Sequence, residues 1–309
     1  MTGQRSGAVE GGAAGAPLRG ERPSPGAAPR PFEPYAQPNP GGFLAEMVAG
    51  SRRRVAAARI GDRLRRPEHP GEPGRLRDAL ARPSWTPGAP SPQLAVIAEV
   101  KRRSPSRGDI APELDAVAQA RAYQDAGADA ISVLTEPTRF GGSLDDLRAV
   151  AAAVELPVLR KDFIVDKGQI WEAAEAGAAA VLLIVAILSD DRLHELLLEA
   201  LDCGLDPLVE VHDLDETRRA CRAGCTLVGI NNRNLVTLEV DVATTEYLAP
   251  ALGPCMFPVS ESGIVTSADA CRVALSGARA LLVGETLVRT PPNELSRVIA
   301  GLKDPGWQV

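Results

Sequence analysis

Charged and amide side chains in this 309-residue chain gather at the ends of short apolar runs. Glu99 and Lys101 close AVIAEV and lead into a Ser/Pro/Gly loop that carries Ser104, Ser106 and Gly108. Thr135 and Glu136 follow DAISVLT, and Arg160, Lys161 and Asp162 close LPVLRKD. Glu210 and His212 end PLVEVH, Asn231, Asn232 and Arg233 end GINNR, and Ser260, Glu261 and Ser262 end PVSES. Gly284 and Glu285 follow ALLV. Ammonium and carboxylate groups brought to one partly desolvated place can run acid and base steps near neutral pH, with Lys161 and Lys101 as proton donors and Glu99 and Glu210 as acceptors. Any one of these residues could be half of an ordinary ion pair. A barrel built only for stability has no need of the whole set. His212 has no metal-spaced companion and reads as a hydrogen-bonded structural residue, and His69 and His194 are not candidates.

Such residues must be carried by elements that end at a common rim. Eight apolar, strand-like runs begin at Ala95, Asp129, Leu156, Ala179, Asp206, Thr226, Met256 and Ala280. They alternate with helical patterns such as LDAVAQARAYQDAGA, and Gly127, Gly177, Gly204, Gly224 and Gly277 stand where a helix hands over to the next strand. Eight βα units without a long break predict a single α/β domain, a (β/α)₈ TIM barrel, with chemistry at the C-terminal ends of the strands. No G-x-G-x-x-G follows the first run, which opposes a dinucleotide fold. The fourth run, ending LLIVAIL, predicts an apolar wall through Leu182 or Ile184. Gly263 and Gly284 fall at the exits of the last two strands, where barrels frequently hold a phosphate on backbone N–H groups.

Residues 1–41 are rich in Gly, Ala and Pro and predict a disordered tail, with the domain running over 42–309 and the barrel proper beginning near residue 94. Phe43 to Arg66 predicts an extra amphipathic N-terminal helix with Arg52, Arg53 and Arg54 on a solvated face, and Pro67 to Pro92 a loop or mobile connection that is helix-like only over Leu76 to Ala81. A net charge of -6 opposes nucleic acid as a partner. No apolar run reaches the length of a membrane span. The five cysteines lack zinc-site spacing and predict buried, reduced thiols, no metal, and a cytoplasmic protein.

From about Phe43 to Leu302 the chain resembles the indole-3-glycerol phosphate synthase family, through IAEVKRRSPSRG, ISVLTEPTRFGGSLDDL, PVLRKDFIVD, AAVLLIVAIL, PLVEVHD, GINNRNL, VSESGI and LLVGETL in order. The resemblance implies a carbon–carbon lyase of tryptophan biosynthesis that closes an indole ring with loss of CO₂ and water on a phosphorylated small molecule, with no cofactor or metal. It implies Lys161 as proton donor, Glu210 as base, Glu99 as orienting relay, and Lys101 on the substrate carboxylate with a share in the acid role. By the same resemblance Asn231, Arg233 and Ser262 hold the substrate chain, while Ser104, Gly263, Gly284 and the backbone of Glu285 hold the phosphate. Phe140, Phe163 and Leu182 surround the anthranilate ring. A monomer or weak homo-oligomer is expected. Gly168 departs from the family, which commonly has an aromatic residue there, and predicts a looser loop after the third strand. The alternatives are a paralogue with the same chemistry in specialised metabolism, a phosphoribosylanthranilate-type isomerase with a shared phosphate site, and an inactive barrel kept as a binding subunit.

Overall fold

Eight parallel strands close on themselves in the order β1-β8-β7-β6-β5-β4-β3-β2, so the sheet has no free edge. The computed structural model describes residues 42–61, 64–68, 70–81 and 93–306, which fall in one compact unit. The strands are β1 (Ala95–Val100), β2 (Ala130–Leu134), β3 (Val158–Lys161), β4 (Ala180–Ile184), β5 (Asp206–Val211), β6 (Leu227–Asn231), β7 (Phe257–Glu261) and β8 (Ala280–Val283). The fold expected from the eight apolar runs is the fold observed. The segment 1–41 lies outside the described residues.

Alternation along the strands decides which side chains can meet. One phase, including Val96, Ala98, Ile131, Val209 and Ile230, packs outward against the surrounding helices. The other forms an interior cluster that includes Ala95, Ile97, Ala130, Leu159, Leu182, Leu208, Leu227, Phe257, Val259, Ala280 and Leu282. Glu99, Lys161, Glu210, Asn231 and Glu261 continue this inner phase by one step at the strand ends. Arg160 belongs to the outer phase. Its 2% exposed guanidinium is satisfied by the Gln169 carbonyl, Glu172, Asp162 and Thr135, so it is a structural cation.

Around the barrel, α3 (Ala116–Asp125), α4 (Leu144–Ala153), α5 (Lys167–Glu175), α6 (Asp190–Asp202), α7 (Leu214–Ala223) and α9 (Ser267–Leu275) each begin on a side-chain cap, supplied by Asp115, Ser143, Asp166, Ser189, Asp213 and Thr266 respectively. A shorter α8 (Ala243–Leu248) follows β6, and α10 (Glu285–Arg289) and α11 (Leu295–Lys303) complete the ring. The five handover glycines all take positive φ. At Gly204 this conformation is accompanied by close contact, because a Cβ there would lie 1.9 Å from the Gly71 carbonyl oxygen.

Two further helices plug the barrel. The first, α1, runs Phe43–Ile60 and stops at Gly61, earlier than the expected Arg66. Its Leu44 and Met47 join the interior cluster at the C-terminal rim of the strands, and Leu76 and Leu80 of α2 (Arg75–Ala81) join it at the opposite end. There the carboxylate of Asp206, at the start of β5, accepts from the backbone N–H groups of Gly74, Leu76 and Arg77. The described part of the Pro-rich connection is therefore anchored; residues 82–92 are not described. Arg54 also departs from expectation. It ion-pairs with Asp162 at 2.7 Å and lies 3.7 Å from Glu136, so it tethers α1 to the barrel instead of facing water. Gly168 sits in the first turn of α5 under Leu64, whose Cδ1 would be 2.5 Å from a Cβ at 168. The slack expected from this glycine is filled by Leu64. Of the cysteines, all free, Cys203 and Cys225 are buried, but Cys221 and Cys271 are only partly covered and Cys255 is exposed. An apolar neighbourhood in sequence did not guarantee burial at a helix edge or turn.

Candidate active site

A cavity of about 970 Å³ opens at the C-terminal ends of the strands. It is lined from β1 and its loop by Glu99, Lys101 and Ser104, from the middle strands by Lys161, Phe163, Leu182 and Glu210, and from the far side by Asn231, Arg233, Ser262, Gly263, Gly284 and Glu285, with Phe140 at the entrance. Every residue to which the family resemblance gave a role thus reaches one cavity, whereas Thr135, Glu136, Arg160, His212, Asn232 and Ser260, also at strand ends, do not line it.

Its floor is an ion cluster. Lys161 Nζ lies 3.1 Å from Glu261 Oε2 and 3.3 Å from Glu210 Oε2. Burial pulls the Lys161 ammonium down, but the charges of Glu261, Glu210 and Glu99 outweigh that and raise it above the usual lysine range. Burial alone would protonate Glu210; Lys161, His212 and Asn231 reverse this and hold it well below the usual carboxylate range. For Glu261 burial prevails, reinforced by the charge on Glu210 against the pull of Lys161, and its carboxyl is pushed up to about 8. Two neighbouring carboxyl groups are thereby pushed apart: Glu210 is held towards its ionised form, suited to a base, and Glu261 is biased towards its protonated form. Glu99 is buried, which works against its charge, but Lys101 and Lys161 keep it lowered; Lys101 Nζ is 2.7 Å away.

Glycine makes the room. A Cβ at Gly229 would fall 2.0 Å from Glu261 Oε1, and one at Gly284 would fall 2.5 Å from Glu99 Oε1 and 2.8 Å from Lys101 Nζ. Next to Gly263, Ser262 takes φ 65°, a left-handed conformation uncommon for a side chain larger than glycine. This is local backbone strain at the rim, as functional sites often hold. The small antiparallel ladder formed by Arg103–Ser104 and Gly108–Asp109 folds the loop after β1 back on itself. Arg233 Nη1 donates to Ser106 Oγ at 3.0 Å, so this loop spans the mouth to the β6 side.

Opposite lies an aromatic wall. Phe43, Phe140 and Phe163 meet edge-on or tilted, with ring centroids 5.8–6.5 Å apart. Phe140 is set by Glu136, whose carboxylate accepts from the N–H groups of Thr138, Arg139 and Phe140. Leu182 and Ile184 extend the apolar surface.

Two members of the site, Glu261 and Phe43, have no role assigned from the sequence. Glu261 was visible in SESGI, and the inner phase of Phe257 and Val259 points to it. Phe43 carried no such signal, because only the docking of α1 across the rim brings it to Phe163.

Comparison with known proteins gives this geometry a family. A family model described as indole-3-glycerol phosphate synthase matches residues 49–298. The chain belongs to the indole-3-glycerol phosphate synthase family. Proteins of that name are 45% identical over 271 residues in Kineococcus radiotolerans, covering 86% of this chain and 98% of that one. In a Nocardioides species the identity is 57% over 195 residues, 63% of this chain and 75% of that one. In Leifsonia xyli it is 46% over 250 residues, covering 81% and 95%. Among solved structures, a chain of a cube-shaped, highly porous cage designed by fusing symmetric oligomeric domains aligns with a TM-score of 0.52 at 16% identity over 69% of this chain and 72% of that one, a likeness of fold alone. The synthase family match spans all eight strands but begins inside α1, so Phe43 lies outside it.

Proposed function

We propose that this synthase family member converts 1-(2-carboxyphenylamino)-1-deoxyribulose 5-phosphate to indole-3-glycerol phosphate in tryptophan biosynthesis, as a carboxy-lyase. The observation that carries the assignment of roles is the Lys161 ammonium held between Glu210 and Glu261 at the floor of the cavity. The ring carbon bearing the carboxylate attacks the carbonyl carbon of the sugar chain. Negative charge grows on the carbonyl oxygen, and Lys161 donates its proton there to leave a hydroxyl group. Departure of CO₂ returns its bonding pair to the ring. The hydroxyl then leaves as water, protonated by an acid for which Lys161 and Lys101 are both within the cavity, as the ring nitrogen supplies electrons. Glu210 removes the proton from the neighbouring carbon to complete the indole. Glu99 holds Lys101 and relays protons.

Binding at both ends folds the flexible substrate so that its reacting carbons meet. Ser104, Gly263, Gly284 and the Glu285 backbone take the phosphate; Lys101 takes the carboxylate; Asn231, Arg233 and Ser262 take the chain and its hydroxyls; Phe140, Phe163 and Leu182 enclose the aryl ring, with Phe43 added. This sequence of steps needs no cofactor and no metal. We place the protein in the cytoplasm as a monomer or weak homo-oligomer, with its five free thiols suited to a reducing compartment. The test is turnover of the carboxyphenylamino-deoxyribulose phosphate to a fluorescent indole in the presence of EDTA. Lack of any turnover by folded protein would end the assignment.

A further inference from the structure

His212, buried to 2% exposure just past the end of β5, is used by no step above. Its backbone N–H and its Nδ1 both lie on Glu216 Oε2, at 2.8 and 2.9 Å. Its Nε2 faces the other way, 3.3 Å from Glu210 Oε1. Glu216 is itself fixed in the first turn of α7, where its N–H donates to the Asp213 side chain at 2.8 Å. The imidazole therefore stands between two carboxylates, hydrogen-bonded to Glu216 through Nδ1 and within ion-pair distance of Glu210 through Nε2. The two oxygens of Glu210 are divided, Oε1 towards His212 and Oε2 towards Lys161 at 3.3 Å.

We propose that His212 is a positioning residue for the reaction: bridged between Glu216 and Glu210, it pins one oxygen of the Glu210 carboxylate and leaves the other aimed at Lys161 and the substrate. The role follows from the donor and acceptor inventory. An ionised carboxylate only accepts, and a neutral imidazole has one N–H, so it would present a lone pair to one of its two neighbours. Only the imidazolium donates to both. Burial works against that charge, but Glu210 and Glu216 outweigh it and push the His212 ring up to about 10. The charged groups around the imidazole include Glu216 on α7 and Glu210 on its own strand, and beyond Glu210 come Lys161 from β3, Glu261 from β7 and Glu99 from β1. A carboxylate tethered on one side cannot rotate away when Lys161 moves its proton to the substrate, and a fixed cation behind it keeps it ionised while that happens.

The proposal rests on Glu210 being the base, and the test separates the two. Three histidines make ring ¹⁵N spectra of the intact protein readily assignable. His212 should show both nitrogens protonated at pH 8, and a neutral ring there overturns the proposal. His212→Asn keeps an amide nitrogen near Nδ1 but cannot reach Glu210, whereas His212→Gln places an N–H near the former Nε2. We expect His212→Asn to lower kcat about tenfold, the scale of one charge-assisted hydrogen bond, with KM little changed and the acid limb of the kcat profile moved to higher pH. His212→Gln should recover most of kcat but not the acid limb, because it restores the donor and not the charge. A folded His212→Asn with unaltered kcat and acid limb overturns the proposal; if that variant does not fold, the ring spectrum and the Gln variant decide. Glu210→Gln is the control: if it still turns over, the base assignment fails, and if it is inactive while His212→Asn is unaffected, only the role of His212 fails.

Discussion

Replacing Lys161 by Met removes the ammonium and keeps most of the volume of its stem. In the folded protein Nζ lies 3.1 and 3.3 Å from the buried carboxyl groups of Glu261 and Glu210, on a side chain only 14% exposed, so both the acid and the charge that stabilises Glu210 disappear together. Loss of a positioned general acid alone costs about 10²–10⁴ in rate. With Glu210 less fully ionised as well, kcat should fall about a thousandfold or more, roughly 4 kcal/mol in the barrier. Stability should change far less. Breaking a buried ion pair costs about 3–5 kcal/mol when the remaining charge is stranded, but without the ammonium Glu210 can take up a proton from solvent and lose that charge, which brings the expected loss to about 1–2 kcal/mol. Steady-state fluorescence of indole formation and a urea unfolding curve on the same preparation measure the two quantities. Turnover within tenfold of the parent, or a collapse in stability with turnover retained, would show that Lys161 is a structural cation and refute the assignment.

Phe43→Ala should raise KM by about tenfold with a smaller change in kcat, since it removes an aromatic wall worth about 0.5–1.5 kcal/mol per ring pair and no reacting group; an unchanged KM would place the aryl ring elsewhere. Stability should be greatest on the mildly acidic side of neutrality. Glu99, Asp162 and Glu210 are lowered, so their contribution is present above the ordinary carboxylate range and is lost as pH falls through their folded values. Glu261, raised from 4.5 to about 8, and His212, raised from 6.5 to about 10, act in the opposite sense: their contribution is whole below the unfolded values and is lost as pH rises through those windows. Urea midpoints from pH 4 to 10 should trace this fall, and Glu261→Gln should flatten it between about 4.5 and 8; an unaltered profile would contradict the protonation assigned to Glu261. Deleting residues 1–41 should leave circular dichroism and the melting temperature essentially unchanged, and failure to fold would show that the segment belongs to the domain.

Strand phase and strand-end chemistry are properties of local sequence, and they determined much of this protein. Apolar runs buried on both faces, glycines at helix ends and side-chain caps specify βα units. Eight of them in succession specify the barrel, and the barrel brings Glu99, Lys161 and Glu210 to one rim whatever lies between them. Inner-phase parity would have added Glu261 without any structure. What the sequence did not determine depends on contacts between distant segments. Arg54 reads as one arginine of an exposed run until α1 docks and Asp162 comes within 2.7 Å of it. Phe43 becomes part of an aromatic wall only by that same docking, and Gly168 is harmless only because Leu64 fills the space above it. His212 looked structural because its meaning lies in the two oxygens of Glu210 and in Glu216 four residues on. The different protonation of Glu210 and Glu261 likewise exists only in the folded protein, where burial raises both carboxyl groups and the positions of Lys161, His212 and Asn231 select which of them stays ionised.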